Sequence, residues 1–514
     1  MVELSGQDLT IEQVVAVARH REPVEGLSDR ALDRMRASRT WVEQAVQDDA
    51  APIYGVTTGF GPLAQVRVRP EQTRRLSRNL ILSSMAGVGP ALPIEIVRAM
   101  LLIRVNTFAK GLSGVRPLLA DTLIRMLNSG VTPHVPAKGS LGASGDLAPL
   151  AHIAAVLSKD PDQSGEEHSG RAWFGEELLT GAEAMRRAGI ERVVLEAKEG
   201  LGLTNGTNFM AAAAAIGVHD AENLLRHAEI AAALSFEALL GITSALDDRL
   251  HQANSQPGQI ATAAALRRML NGSRLVDSRP DRVQDAYSLR CTPQVLGPVR
   301  DVLAFLRERV TGAINAATDN PLFFGDSGAI SGGNFHGQGL AMWLDLLGVA
   351  AAQLGTISER RTFRMTTPEL SEGLPSMLVP NAGLDSGLMM PQYTAAALVS
   401  DNKTLAHPDS VDSIPSSANQ EDHVSMGANA ARHALEIFDN LRQILAVEFL
   451  TAAQAIDLRP EGPSRLGRGT GAAYRRLRQS VSFLEHDRPL SPDIEALAAL
   501  ISSEQLLKAV DDEQ

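Results

Sequence analysis

Beyond residue 206, this 514-residue chain contains five long segments that are rich in alanine and strongly helical in pattern. Alanine has the highest intrinsic helix propensity, because it loses no side-chain freedom in a helix. Stretches such as Leu340–Leu354 and Phe209–Ala215 are apolar on almost every face, which is typical of helices buried among other helices. We therefore predict a mainly α chain built on a bundle of long helices and extended by association of chains. The five segments are Thr207–Leu240, Val295–Ala317, Phe335–Arg360, Leu384–Leu405 and Met426–Ile456.

The first part of the chain has shorter helical patterns. Apolar residues recur at helical spacing over Leu27–Val46 and Arg75–Ala109, on either side of the glycine-rich segment Tyr54–Gly61. Lys159–Gly170 is polar and turn-rich, which is typical of an exposed loop between lobes. We predict a smaller N-terminal lobe over residues 1–200, and a long-helix bundle with C-terminal helices over residues 201–514.

Composition excludes several functional classes. The net charge of −12, from 60 acidic and 48 basic residues without a long basic run, argues against a nucleic-acid partner. The single cysteine, Cys291, cannot form an internal disulfide and suits a reducing compartment. We see no signal peptide, and the longest apolar run, near Phe209–Val218, is about half of a membrane-spanning helix. We expect a cytoplasmic protein with no membrane partner and, since the 12 histidines are scattered, no metal.

A glycine-rich bend, GSLGASGDLAPL at Gly139–Leu150, contains the tripeptide Ala143-Ser144-Gly145. A glycine amide has no Cβ to hinder its approach to a nearby carbonyl group. Attack of the Gly145 nitrogen on the carbonyl carbon of Ala143 would close a five-membered ring. Loss of water from that ring and from the Ser144 side chain would then leave an exocyclic methylidene, which is an electrophile. On the tripeptide alone, an ordinary turn is the better interpretation.

The longer string GSLGASGDLAPLAH resembles the signature of the aromatic amino-acid ammonia-lyases, the histidine, phenylalanine and tyrosine lyases. Further matches at YGVTTGFG, NGTN, QDAYSLRC, SGGNFH and SANQEDHVSM follow in family order and cover nearly the whole chain. The resemblance implies the histidine/phenylalanine ammonia-lyase fold, with the loop on the N-terminal lobe beside a long central helical bundle. It also implies a methylidene-imidazolone formed autocatalytically from Ala143-Ser144-Gly145, no external cofactor, and a homotetramer whose active sites draw residues from three chains.

The resemblance assigns two residues to steps of the chemistry, and position along the chain indicates a third. Tyr54, in IYGVTTGFG, matches the family tyrosine that is taken as the base, which must remove a β-hydrogen of very low acidity. Asn205, in LTNGTN, matches an asparagine that hydrogen-bonds the ring oxygen and stabilises the charge developing there. Asp146 follows the tripeptide and is expected to assist the dehydrations.

Four further residues are implied to hold the substrate or the prosthetic group. Arg290, in QDAYSLRC, matches the arginine that pairs with the substrate carboxylate, for which a guanidinium offers two parallel donors. Gln284 and Tyr287 precede it at three-residue intervals, so the three lie near one face of a helical turn or line a loop together. By resemblance Gln284 and the catalytic Tyr287 position the prosthetic group and the amine. Phe335, in GGNFH, matches an aromatic residue at the prosthetic group.

Two positions bear on the choice of substrate, and they disagree. Glu421, in ANQEDHVSM, matches the glutamate of histidine lyases, and a carboxylate can accept the imidazole N–H. Phenylalanine and tyrosine lyases have glutamine there. After Asn-Leu-Ile-Leu, histidine lyases tend to have Ser-His, tyrosine lyases His-Leu and phenylalanine lyases Phe-Leu, whereas this chain has Ser83-Ser84. Together with Thr204 and Met85, these serines indicate a roomier and more polar pocket, unless a water fills the gap.

These observations predict an ammonia-lyase that converts an L-α-amino acid into a trans-α,β-unsaturated acid, with L-histidine to urocanate as the favoured reaction. The first alternative is a lyase or aminomutase for an aryl or substituted-imidazole amino acid. The second is a non-catalytic helical scaffold, which would have no need of Tyr54, Ser144, Asn205, Tyr287 and Arg290 together. Apart from other copies of the chain, the expected partner is the small amino-acid substrate.

Overall fold

The computed structural model describes residues 1–48, 51–162 and 168–513, and most of them are helical. All five segments predicted from their alanine content form long helices, which confirms the mainly α class. The helices are α1 Ile11–Ala18, α2 Asp29–Asp48, α3 Thr73–Ser84, α4 Ile94–Ala109, α5 Pro117–Ser129, α6 Leu147–Leu157, α7 Gly181–Arg187, α8 Glu199–Thr204, α9 Asn208–Ala238, α10 Asp248–Asn254, α11 Pro257–Met269, α12 Tyr287–Arg290, α13 Thr292–Ile314, α14 Gln338–Thr366, α15 Met389–Leu405, α16 Gly427–Asp457, α17 Arg468–Ser480, α18 Ser491–Ser502 and α19 Gln505–Asp511.

The strands are short and form small separate sheets. β1 pairs with β2 and β6 with β9 in parallel, whereas β3–β5, β4–β7–β8 and β10–β11 are antiparallel. The strands are β1 Val2–Leu4, β2 Val24–Leu27, β3 Val88–Ala91, β4 Thr132–Pro133, β5 Pro136–Lys138, β6 Ser158–Lys159, β7 Arg171–Phe174, β8 Glu177–Thr180, β9 Val193–Val194, β10 Leu322–Phe323 and β11 Ala329–Ile330.

Two helical patterns end differently from the prediction. The pattern over Arg75–Ala109 is divided into α3 and α4 by strand β3, because Pro90 within the strand and Pro93 before α4 cannot continue a helix. Helix α15 begins at Met389 rather than at Leu384. Gly387 precedes it with a φ of 57°, a left-handed conformation that stops a regular helix from starting earlier.

The chain forms two compact units, each made of segments that are separate in sequence. Unit 1 comprises Met1–His219, Arg307–Asp345 and Pro408–Arg432. Unit 2 comprises Asp220–Leu306, Leu346–His407 and His433–Gln514. The predicted lobe boundary between residues 200 and 201 stays a prediction. Part of the predicted loop Lys159–Gly170, residues 163–167, lies outside the described residues.

Among the described residues, α14 is the one helix that is long and apolar enough, by composition, to cross a membrane. A buried core helix passes the same test, and just over half of its most apolar stretch, 56%, is buried within the single chain. Leu344 and Leu354 are fully buried, whereas Met342 on the same helix is 56% exposed. The helix therefore packs in the core on one side and leaves apolar side chains uncovered on another.

Candidate active site

The Ala-Ser-Gly tripeptide lies in a tight turn in unit 1, between strand β5 and helix α6. The Gly145 amide donates a hydrogen bond of 3.3 Å to the Gly142 carbonyl, which closes the turn over Ala143 and Ser144. Gly142 and Gly145 have φ values of 78° and 73°, and Ser144 has a φ of 51°. Left-handed backbone is unfavourable for a serine, so the turn holds Ser144 under strain, as is common at functional sites.

Backbone contacts clamp this turn from two sides. The Gly206 amide donates to the Ser144 carbonyl at 3.1 Å, and the Asp146 amide donates to the Gly206 carbonyl at 2.7 Å. On the other side, the Met426 amide donates to the Leu141 carbonyl at 2.9 Å. A Cβ on Gly145 would lie 2.1 Å from the Gly206 oxygen, which is far shorter than the non-bonded contacts that Cβ atoms make in proteins. The clamp therefore requires glycine at this position.

Gly145→Ala is expected to prevent water loss from the loop, since the added methyl group forces the turn away from Gly206. The intact mass of the purified variant should equal the unprocessed chain. Gly175→Ala is the matched control, because Gly175 has a similar φ of 62° and nothing within 4 Å of an added Cβ. Both substitutions place alanine in left-handed backbone, at a cost of about 1–2 kcal/mol. Water loss in G145A equal to that in G175A would contradict the role of the clamp.

Asp146 connects the turn to the start of helix α9. Its buried carboxylate accepts hydrogen bonds from the amides of Phe209 and Met210, at 2.8 and 3.2 Å, and so caps the helix from a distance in sequence. Its Oδ1 has no hydrogen-bond partner among the described residues. Burial raises the pKa of Asp146 to about 7, against the lowering effect of the two amides and of the Arg104 charge. The carboxyl group can therefore gain or lose a proton near neutral pH.

We expect the burial of Asp146 to make the free energy of unfolding fall as the pH rises from about 4 to about 7, against an opposite contribution from the buried His227. Asp146 has an ordinary pKa of 3.8 in an unfolded chain and about 7 when buried, so the native state holds its proton in this range and the unfolded state does not. Asp146→Asn keeps an acceptor oxygen without titrating, and should flatten this slope in denaturant titrations. Part of the slope should remain, because burial also raises the pKa of Glu237 to about 7. An identical slope in D146N would contradict the assignment.

Glu421 reaches the turn from a segment that is remote in sequence. The Ser144 hydroxyl donates to its Oε1 at 3.3 Å, across 277 positions of the chain. Its Oε2 accepts from the hydroxyls of Ser416 and Ser417, at 2.7 and 2.9 Å. The two serines hold the carboxylate in one orientation, so that its other oxygen faces the reactive serine. The serine pair has no sequence-predicted role, and its position shortly before Glu421 in the SSANQE string is the one local signal that could have indicated it.

Tyr54 lies in the same unit, in a loop folded on itself. Its phenol oxygen accepts from the Gly61 amide at 3.1 Å, and its ring meets Phe60 edge to face. The short helical turn that begins at Gly61 contacts the turn that contains Ser417. Tyr54 is thereby connected, through two loops, to the segment that carries Glu421.

Asn205 follows helix α8 and is nearly fully buried at 2% exposure. Its neighbour Gly206 forms the clamp on the loop. Phe335 is partly exposed in the bend before α14, and the adjacent His336 approaches the carbonyl of His423 at 3.2 Å. Unit 1 therefore brings together the tripeptide, Asn205, Glu421 and the segment of Phe335.

Ser83 and Ser84 end helix α3, which packs against α6 and α8. Ser83 is exposed and donates to the Leu80 carbonyl at 3.2 Å, whereas Ser84 is half-buried. The chain beyond them approaches the start of the loop, since a Cβ on Gly139 would lie 3.0 Å from the Gly87 Cα. Their predicted role in the substrate pocket stays a prediction.

The remaining predicted residues belong to unit 2. Tyr287 and Arg290 are the ends of the single-turn helix α12, and the guanidinium of Arg290 lies over the Tyr287 ring at 4.7 Å. Gln284 precedes this helix and is exposed. Tyr287 is 70% exposed, and the buried Nε of Arg290 has no hydrogen-bond partner among the described residues. Gln284 and Tyr287 are therefore accessible, whereas Arg290 is half-buried, and their predicted roles stay predictions.

Residues 9–479 match the family described as aromatic amino acid lyase. The chain is 50% identical to the histidine ammonia-lyase of Treponema denticola, over 99% of this chain and 98% of that protein. The crystal structure of histidine ammonia-lyase from Trypanosoma cruzi superposes with a TM-score of 0.90 at 38% identity, covering 100% of this chain and 95% of that one. A tyrosine aminomutase from Streptomyces globisporus superposes with a TM-score of 0.93 at 37% identity, covering 100% and 99%.

The family match and the full-length relatives, together with the helical fold, identify a carbon-nitrogen lyase. More specifically, the chain belongs to the aromatic amino acid lyase family, since the match covers most of its length. The family predicted from the motifs is thus confirmed.

Proposed function

We propose that this chain eliminates ammonia from L-histidine to give trans-urocanate. The observation that carries the proposal is the 3.3 Å contact between the Ser144 hydroxyl and Glu421, which puts an imidazole-accepting carboxylate beside the reactive turn. The high identity to full-length proteins named histidine ammonia-lyase supports this choice of substrate. Membership of a lyase family speaks against the non-catalytic scaffold.

The loop fits a prosthetic group made from its own residues. An added Cβ at Gly142 or Gly145 would collide with Ser425 or Gly206, so glycine at these places lets the loop keep its tight turn. A methylidene-imidazolone built from Ala143, Ser144 and Gly145 would supply an electrophile for the substrate amine. No cofactor from outside the chain is required for this chemistry.

The side chains then have distinct tasks in the proposed reaction. Arg290 binds the substrate carboxylate through paired donors, and Tyr287 and Gln284 orient the amine. Glu421 accepts the imidazole N–H through Oε1, while Ser416 and Ser417 hold Oε2. Tyr54 removes the β-proton, and the Gly61 amide that donates to its oxygen at 3.1 Å holds the phenol group in place.

We further propose a homotetramer in the cytoplasm, with active sites that draw residues from three chains. Large apolar side chains are uncovered in the single chain, and such surfaces commonly mark contacts between proteins. The reducing compartment suits the single Cys291. The exposed side chains include Phe305, Met342, Met390 and Tyr393.

The experiment offers L-histidine, L-tyrosine, L-phenylalanine and ring-substituted histidines in parallel to the purified enzyme. Ammonia release and product identification are measured for each substrate. Fast turnover of histidine to urocanate is expected. Turnover of another amino acid alone would mean that Ser83 and Ser84 reshape the pocket, and a β-amino acid product would identify an aminomutase.

A further inference from the structure

A fully buried ion pair lies behind Asn205 in unit 1. The ammonium of Lys198 contacts the Asp319 Oδ2 at 2.7 Å, and both side chains have no exposed surface. Lys198 precedes helix α8, and Asn205 follows the same helix. The pair and the asparagine are thus connected both by this helix and by direct contacts.

The second oxygen of Asp319 is committed to holding Asn205. Asp319 Oδ1 accepts from the Asn205 Nδ2 at 3.3 Å and from the Asn320 amide at 2.6 Å. The Asn205 Nδ2 also donates to the Asn320 carbonyl at 3.2 Å. A flipped amide would turn its oxygen toward a carboxylate and a carbonyl, which repel it. The contacts therefore allow one orientation of the Asn205 side chain.

A second buried charge holds the backbone of Asn205. Arg104 donates to the Asn205 carbonyl at 2.9 Å, while its Nε and Nη1 have no hydrogen-bond partner among the described residues. The next residue, Gly206, is hydrogen-bonded to both Ser144 and Asp146. Asn205 is thus fixed at its side chain and at its carbonyl, one residue away from the reactive loop.

Stability alone does not account for such an arrangement. Burying an ion pair has a large desolvation cost, and replacing a buried pair with apolar residues of similar volume is often neutral or stabilising. A pair whose remaining acceptor is used to orient one amide is better explained by specificity of geometry. A displacement of about 1 Å in a residue that contacts the reacting groups can lower the rate on the order of 10²-fold.

We propose that Lys198 and Asp319 are positioning residues that orient the Asn205 amide for the reaction at the Ala-Ser-Gly loop. This inference rests on the proposed ammonia-lyase function. The ion pair has no direct contact with the substrate in this proposal, and acts entirely through Asn205.

The test compares two double variants of the ion pair. Each double variant removes the charges of Lys198 and Asp319. K198M/D319N retains an amide oxygen that can accept a hydrogen bond from Asn205, whereas K198M/D319L does not. We expect K198M/D319L to lower kcat on the order of 10- to 10²-fold with little change in KM, because orientation rather than binding is lost. K198M/D319N should retain most of the wild-type kcat. Equal losses in the two variants would overturn the proposal.

A double-mutant cycle with N205A separates positioning from a general structural effect. If the pair acts through Asn205, K198M/D319L should change kcat less than about twofold in the N205A background. The ultraviolet difference spectrum of the loop should shift in the same direction in N205A and K198M/D319L. The control pair Arg300–Glu229, replaced as R300M/E229L, should combine additively with N205A. Additive effects of K198M/D319L and N205A would also overturn the proposal.

Two safeguards keep the result interpretable. If K198M/D319L does not yield folded protein, K198Q replaces it in the same cycle, because Lys198 holds Asp319. The effect of K198Q on kcat should then also vanish in the N205A background. Wild-type ammonia release from L-histidine and the intact-mass loss of two waters test the proposed function separately. A wild type that fails both tests removes the proposed function, whereas an additive cycle in an active, dehydrated wild type removes only the positioning role.

Discussion

Replacing Ser144 with alanine is expected to lower the rate of ammonia release from L-histidine about 10³-fold or more, while the chain stays folded. Alanine has no hydroxyl group to lose, so the methylidene cannot form. The Ser144 hydroxyl donates a hydrogen bond to Glu421 at 3.3 Å, and losing one such hydrogen bond costs only about 1 kcal/mol. Ammonia release, intact mass and thermal unfolding should be measured on the same preparation.

Ser255→Ala is the matched control for this variant. Ser255 also has left-handed backbone, with a φ of 56°, but it is an exposed residue that ends helix α10 in unit 2. Both variants therefore exchange a serine for an alanine under the same backbone strain. S255A should turn over histidine like the wild type. Full activity in S144A would falsify the proposed chemistry, and unfolding of S144A alone would show that the hydroxyl contact matters mainly for structure.

Glu421→Gln is expected to lower kcat/KM for L-histidine on the order of 10²-fold, close to the ~3 kcal/mol of a strong hydrogen bond to a charged group. The hydroxyls of Ser416 and Ser417 both need an acceptor, so the amide would turn its oxygen toward them. Its NH₂ group would then face the imidazole and could not accept the ring N–H. The ratio of kcat/KM for histidine to kcat/KM for phenylalanine should fall by more than this factor, because a bound phenyl ring no longer leaves a carboxylate unpaired.

Asp422→Asn provides the control for charge, because Asp422 is the next residue and its side chain is exposed. It removes the same unit of negative charge from the same segment, without changing a group that faces Ser144. D422N should keep the wild-type kcat/KM for both amino acids. An unchanged kcat/KM for histidine in E421Q, or an equal loss in D422N, would show that Glu421 does not select the substrate.

The architecture was largely predictable from local sequence. Alanine-rich stretches such as Met426–Ile456 favour helix through their intrinsic propensity, and the observed helix, Gly427–Asp457, agrees closely. The observed helices are shorter than the periodic pattern where proline or glycine interrupts it, as in the division of Arg75–Ala109 by strand β3. Periodicity reports which residues are apolar, and only the backbone restrictions of Pro90 and Pro93 decide where the helix must stop.

The reactive tripeptide and its family were also readable from the sequence, because ring formation needs three consecutive residues and a glycine-rich string around them. The family resemblance also indicated that Asn205 and Phe335 lie near the tripeptide, but the contacts around it could not be read from local sequence. Glu421 accepts a hydrogen bond from Ser144 across 277 positions of the chain. Its hydrogen bonds from Ser416 and Ser417 depend on how the segment 416–421 folds back on itself. A contact between distant segments leaves no local pattern, so only the tertiary structure could reveal it.

The buried charges show the same difference between what the sequence reveals and what the tertiary structure decides. Sequence shows Lys198 and Asp319 as two ordinary charged residues, which are usually on the surface. Folding removes both from water and leaves one carboxylate oxygen for Asn205. Residue types and their order along the chain determine the helices and the chemistry of the loop. Burial and long-range packing decide which charges face one another, and hence which side chains are oriented for that chemistry.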